Sequence, residues 1–396
     1  MSSTEPFDPV EIYTDRNVYI LGAGFSHDAG LPLVSEFMNK MRDGLGWLKS
    51  KNRNEEADAI ERVFNFRRIA ASATERIPIG TENIEELFSL ASATSTFANP
   101  SSPLARAVPI AIAATLDYAL QDNPPKPDAQ VMVTGAANIP RDWIHTGGLD
   151  RSGQRQDNYR CPLYDAYALV LAGTPGDRNS EEHNTIISFN YDLLLEDAFA
   201  KLNIPFSYGL SLEDADFETS GMCVPELADE AAIRVLKLHG SINWATPPAK
   251  LQKSTIYNDY DHVRKRNRLP FLAPPTWRKV FGDQLSIVWD RAVESLQSAT
   301  RVIILGYSIP TTDQHFKYLL SAGLQGNISL RQIWFVNPGI DRKGESEVLR
   351  ERLFSVFRPE LAPQVLQLSD SKARDFLVGA GKYWINRQRV SASYRV

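Results

Sequence analysis

The chain is 396 residues long, 43% hydrophobic and 23% charged, with a formal net charge of −5. This globular composition excludes a wholly disordered or fibrous chain, and the acid excess gives no global attraction to nucleic acid or to an anionic membrane. The length admits one large domain with embellishments or two ordinary ones, and the only two cysteines, Cys161 and Cys223, exclude both a disulfide framework and a four-cysteine zinc site.

The first fifteen residues, MSSTEPFDPVEIYTD, are polar and acidic and lack the apolar stretch of a secretory signal. No uninterrupted apolar run reaches the roughly 18 residues of a membrane span. A cytoplasmic location is expected.

The first predicted element is NVYIL (17–21), a β-branched run that stops at Gly22-Ala23-Gly24. A strand followed by G-x-G lets the backbone come close to a pyrophosphate. The dinucleotide fingerprint wants a third glycine three residues later, and that place is His27. Alone, the stretch also admits the reading of a tight turn with no ligand. No lysine follows at the spacing of a P-loop, so ATP hydrolysis is not expected.

From about 36 to 180 the chain reads as mostly helical. VSEFMNKMRDGLGWLKS and ENIEELFSLASATSTF carry apolar residues at i, i+3, i+4 spacing, and PLARAVPIAIAATLDYALQ is a further helix. The polar, glycine-rich stretch 134–160 reads as a loop rather than sheet. Four more short apolar runs follow: TIISF (185–189), RVLKL (234–238), RVIIL (301–305) and RQIWFV (331–336). All five runs are predicted to be buried parallel strands. Their tails are Gly22-Ala23-Gly24, Asn190-Tyr191-Asp192, His239-Gly240-Ser241, Gly306-Tyr307-Ser308 and Asn337-Pro338-Gly339. Ligands of open α/β sheets sit beyond the carboxyl ends of the strands, so these tails are predicted to converge on one crevice. Beyond 345, GESEVLRERLFSVF and SKARDFLVGAGKYWINRQ read as closing helices.

Each candidate residue has a plain structural alternative. Asn190 suits the N-cap of a helix starting at YDLLLEDAF, Asp192 suits its first turn, and His239 suits an ordinary buried histidine. His27 and His315 are read as structural or rim residues. The basic run VRKRNR (263–268) is read as a solvated surface, so direct nucleic-acid binding is not expected. Trp244 is read as packing.

Four motifs in order, GAGFSHDAGLP, SFNYD, LKLHGSINW and ILGYSIPTTDQHF, resemble the sirtuin (SIR2) family, and more closely its bacterial anti-phage defence branch than the protein deacetylases. The resemblance implies an α/β, Rossmann-like parallel sheet with a large helical insertion and C-terminal helices, organised as an NAD-binding domain over 1–345 (insertion about 36–180) and a helical extension over 346–396. It implies that NAD lies against Gly22, Ala23, Gly24 and Ser26, with Asp192 near the nicotinamide, and Gly306, Ser308 and Asn337 toward the adenosine half. Asn190 and His239 take the catalytic positions.

The departures matter too. The deacetylases carry a four-cysteine zinc ribbon flanking the peptide cleft, which two cysteines cannot supply, so no metal is expected. After AGLP the deacetylases continue with an acidic or small residue, phenylalanine and arginine, whereas this chain continues LVSEF. The resemblance therefore implies an NAD+ hydrolase acting in defence, controlled by self-association and by a HerA-like hexameric ATPase. An NAD-dependent protein deacylase and a non-catalytic NAD or ADP-ribose sensor are the alternatives.

Overall fold

In the computed structural model the described residues are 16–74, 80–93, 102–122, 130–134, 158–172, 184–225, 232–247, 253–274, 283–310, 314–341, 346–358, 360–361 and 365–380. All five predicted strands are present: β1 (Asn17–Leu21), β4 (Thr185–Ser188), β7 (Ile233–Lys237), β11 (Arg301–Leu305) and β12 (Gln332–Val336). With β5 (Phe206–Ser207) and β13 (Leu366–Ser369) they form a seven-stranded sheet in the order β13-β12-β11-β1-β4-β7-β5. Every pairing in it is parallel. The fold is α/β with a Rossmann-like parallel sheet.

The chain order explains where a ligand would sit. From β1 the chain builds toward β4, β7 and β5, then returns to the other side of β1 for β11, β12 and β13. β1 is thus the topological switch point, and the crevice of such sheets opens beyond its carboxyl end. Every residue of β1 is buried, as expected of a strand covered on both faces.

The insertion between β1 and β4 is helical: α1 (Ala23–Ser26), α2 (Phe37–Ser50), α3 (Asn54–Thr74), α4 (Ile84–Ala93), α5 (Pro103–Asp122) and α6 (Leu163–Ala172). α5 is long and apolar enough to cross a membrane by length and composition alone, but most of it is buried within the protein. Its Ala107, Ala111 and Ala114 pack in one apolar cluster with Met38 and Met41 of α2 and Ile60 and Val63 of α3. Arg53, 7% exposed, ties this packing together through Glu56 and Asp117 while lying over the Trp47 and Tyr260 rings. Buried charge is tolerated because it is paired.

Two expectations need correction. The stretch 134–160 is not all loop: β2 (Gln130–Thr134) and β3 (Asn158–Pro162) pair antiparallel at its two ends, while 135–157 lie outside the described residues. Beyond 345, α11 (Ser346–Val356) is helical but the chain then returns to the sheet as β13. Of the closing helix expected over 371–388, Asp375–Ala380 form a π-helix and 381–388 lie outside the described residues. The tail after β7 continues into structure not predicted from the sequence. It becomes β8 (Gly240–Ala245), the centre of a second sheet in the order β10-β8-β9-β6, formed with β6 (Ala215–Glu218), β9 (Ser254–Tyr257) and β10 (Pro270–Leu272). Ile242, Ala245, Tyr257 and Leu272 of this sheet join the core of the helical insertion. Trp244 is fully buried and meets Tyr208 edge-on at 5.2 Å, the packing role expected of it.

The turns after β1 and β11 are glycine-bound for a steric reason. A Cβ on Gly22 would lie 2.7 Å from the Gly306 carbonyl oxygen, and one on Gly306, at φ +63°, would lie 2.4 Å from the Phe25 nitrogen. Gly306→Ala is expected to lower unfolding free energy by roughly 1–2 kcal/mol for the left-handed backbone plus about 1–3 kcal/mol for overpacking. Gly46 lies inside α2 with open space, nothing within 4 Å, where a Cβ would project. Its replacement by alanine is expected to gain about 0.5–1 kcal/mol. Urea unfolding of the two variants checks both signs.

Candidate functional site

Five strand tails meet at the carboxyl edge of the large sheet, and each touches its neighbour. The turn after β1 lies on the turn after β11: the Gly22 amide donates to the Leu305 carbonyl at 3.0 Å and the Gly24 amide to the Gly306 carbonyl at 2.8 Å. These two amides are thus engaged by the neighbouring turn. Their contribution is to let two backbones touch. α1 is only four residues long and passes into a single 3₁₀ turn, His27–Ala29. His27 sits at the rim, its Nδ1 3.1 Å from the Leu31 carbonyl.

Asn190, after β4, does not cap a helix. α7 (Leu194–Lys201) begins four residues later, with Leu193 at the cap position. The Asn190 side-chain amide instead reaches back to the first turn, donating to the Gly22 carbonyl and to Ser26 Oγ, both at 2.9 Å. With both amide hydrogens engaged, its carbonyl oxygen is the group left to accept from a ligand. Ser26 is fixed in turn, donating to Asp192 Oδ2 at 2.7 Å. Asp192 Oδ1 accepts from the Leu194 amide at 3.2 Å, so it serves both the site and the start of α7. Ser26 and Asp192 are buried, and Asn190 is half-buried. A chain of donors and acceptors thus sets the Asn190 amide one way round.

His239, two residues beyond β7, is buried. Its ring meets Phe189 edge-on at 5.1 Å and lies 6.0 Å from Tyr191, the residues on either side of Asn190. Its carbonyl accepts from the Ala273 amide at 2.9 Å, and the Tyr191 hydroxyl donates to the Ala273 carbonyl at 2.7 Å. Gly240 must be glycine at this bend: φ is +77°, and a Cβ would lie 2.1 Å from the Phe271 carbonyl oxygen. The two predicted catalytic residues are thus brought onto one short stretch of wall.

The β11 and β12 tails complete the edge. Tyr307 stacks on Phe189 at 4.8 Å and leans on Phe316 at 4.7 Å. Ser308 is exposed. Asn337 is occupied within the fold, donating to the Tyr307 carbonyl at 3.2 Å and accepting from the Gly339 amide at 2.9 Å. His315 lies on α10 (Gln314–Leu324), its ring 6.1 Å from Trp289.

Sequence reasoning missed two features here. Tyr164 of α6, its phenol pushed up by burial, donates to the Phe25 carbonyl at 2.8 Å and so ties the helical insertion to the first turn. Lys237, the last residue of β7, is 1% exposed; its Nζ lies 2.5 Å from the Asp192 carbonyl oxygen and 3.0 Å from Glu196 Oε1. Burial pushes the Glu196 carboxyl up, and Lys237 draws it back. A lysine inside the apolar run RVLKL was the available signal. The basic run 263–268 is not a bare patch: Arg264 and Lys265 pair with Asp261, and Arg266 pairs with Glu218. Among the described residues no group of three His, Cys, Asp or Glu side chains is placed to hold a metal.

Residues 184–356 match the family described as a SIR2-like domain. That span holds three of the four motifs and begins after the first turn. A search of curated proteins gives no match. Among solved structures, the chain is similar to one from a study of the mechanism and regulation of Sir2 enzymes, at TM-score 0.38 and 12% identity over 96% of this chain and 95% of that one. It is also similar to a variant Sir2 homologue in complex with ADP-ribose, at TM-score 0.37 and 13% identity over 98% and 100% of the two chains. A Sir2 complex with a p53 peptide and NAD+ gives 0.36 and 12% over 96% and 97%.

The shared hydrogen bond between Asn190 and Ser26 can be measured. A double-mutant cycle of Ser26→Ala and Asn190→Ala, read by denaturant unfolding, is expected to show a coupling on the order of 1 kcal/mol. Additivity within about 0.3 kcal/mol would mean that Ser26 does not hold the amide.

Proposed function

We propose that this chain is an NAD+ glycohydrolase, cleaving the bond between nicotinamide and ribose to release nicotinamide and ADP-ribose. The observation that carries the proposal is the Asn190 amide. Both its hydrogens are bound inside the fold, so an acceptor oxygen stands at the switch-point edge beside a buried histidine. The SIR2-like match over 184–356 supports the same reading.

The chemistry asks little of a strong catalyst. Nicotinamide on ribose carries a positive charge and leaves as a neutral molecule, through an oxocarbenium-like state. The site must hold the ribose, favour developing positive charge and deliver water. The Asn190 oxygen accepts from a ribose hydroxyl or from the attacking water, which fixes its approach. Water adds to the ribose carbon as the carbon–nitrogen bond breaks, and its proton passes to His239, whose side-chain type titrates near neutrality. The balance is NAD+ plus water giving ADP-ribose, nicotinamide and a proton. The turn at Gly22, Ala23, Gly24 and Ser26 takes the pyrophosphate side, and Gly306, Ser308 and Asn337 the adenosine side.

Water rather than an acyl-lysine is the acceptor in this reading, because two cysteines cannot build the zinc ribbon that flanks a peptide cleft. We further propose a role in anti-phage defence by NAD depletion, with activity controlled by self-association and by a HerA-like ATPase. Copurification of the two proteins, and NAD+ turnover with and without the ATPase, test that partnership.

Incubation with NAD+ alone, followed by chromatography of nicotinamide, tests the activity. Asn190→Ala and His239→Ala are each expected to reduce release by roughly 10²–10⁴-fold. Wild-type rates in both variants would refute the assignment, and NAD+ binding without turnover would favour a sensor.

A further inference from the structure

We infer that Lys237, with Glu196 as its counter-ion, is a positioning residue that fixes the Asn190–Asp192 turn for catalysis. The inference rests on the glycohydrolase reading for its catalytic half and on geometry alone for its structural half. Lys237 ends β7 in register with Ser188, the last residue of β4. In the same sheet the residues closing β1, β11 and β12 are Leu21, Leu305 and Val336, so the edge packs without charge elsewhere. A fully buried ammonium is costly to desolvate unless paired and hydrogen-bonded. Both conditions are met, by the Asp192 carbonyl at 2.5 Å and by Glu196 of α7 at 3.0 Å.

What the lysine grips is the backbone of the residue whose side chain orients the site. Asp192 receives the Ser26 hydroxyl, Ser26 receives the Asn190 amide, and the Asn190 backbone amide donates to Ser188 Oγ at 3.2 Å. The opposite side of the same turn is held by the Tyr191 carbonyl, which accepts from the Ile242 amide at 3.1 Å and from Ser241 Oγ at 3.2 Å. Lys237 is therefore the fastening that joins this turn to β7, on the strand that also leads to His239. Without it the Asp192 carbonyl loses its donor in a buried setting, and the relative placement of Asn190 and His239 loosens.

The pair is best removed whole, since deleting one partner strands a buried charge. Two versions, Glu196→Leu/Lys237→Met and Glu196→Gln/Lys237→Met, give two chances of a folded full-length variant, with Glu196→Asp alone as the conservative variant that keeps both the ammonium donor and its counter-charge. Amide hydrogen exchange and NAD+ kinetics are read together. Exchange in peptides covering 189–194 is expected to rise at least tenfold while 17–21 and 301–305 stay protected. The kcat for nicotinamide release is expected to fall tenfold or more at little-changed KM, and Glu196→Asp alone to keep kcat within about threefold of wild type. Unchanged exchange over 189–194, or faster exchange with wild-type kcat, overturns the inference. If the wild-type chain itself releases no nicotinamide, the glycohydrolase reading fails, and the exchange result still decides whether Lys237 holds the turn.

Discussion

Two backbone turns lie directly against each other: the turn at Gly22 and Gly24 after β1, and the turn at Gly306 after β11. The other site contacts follow from that closeness. Because Gly22 is pinned to the β11 side through the Leu305 carbonyl, its own carbonyl can be met from the β4 side by Asn190. The same closeness sets Tyr307 where it stacks on Phe189, and Phe189 borders His239. The strand order that puts β1 between β4 and β11 brings the three tails together, and the glycines allow them to close.

Around this contact the polar groups form a satisfied chain rather than scattered pairs. Ser26 lies between Asn190 and Asp192, and Asp192 lies between Ser26 and the first amide of α7. Buried polar networks are stable only when each member is matched, and matching gives each a single orientation. The two outer layers lock the same turns from behind: Tyr164 of the insertion holds the Phe25 carbonyl, and Ala273, just past β10, holds both His239 and Tyr191. The helical insertion and the second sheet share one apolar core, so the walls of the crevice are braced together.

The strands of the large sheet were largely legible because burial on both faces leaves continuous apolar runs such as RVIIL. β13 was missed because LQLS is a half-buried edge strand with no such run. β8 was missed because GSINWA mixes polar and apolar residues, yet all six are buried between the second sheet's neighbours and the insertion. At the site, the residue types and their strand-end positions were readable, but their use was not. An N-cap asparagine and one that reaches a carbonyl 168 residues away look alike in sequence, and only the fold separates them. Likewise G-x-G in sequence does not show that the Gly22 and Gly24 amides donate to the neighbouring turn.

The central claim is that the tails of β1, β4, β7 and β11 form one NAD-binding site with Asn190 and His239 at its reacting end. A crystal structure of the chain with ADP-ribose tests it most directly. The account predicts the pyrophosphate against the turn of residues 22–26, with the ribose that bears nicotinamide in the substrate lying between the Asn190 oxygen and the His239 ring. ADP-ribose bound elsewhere on the molecule, or lying at this edge with neither residue within hydrogen-bond reach of that ribose, would contradict it.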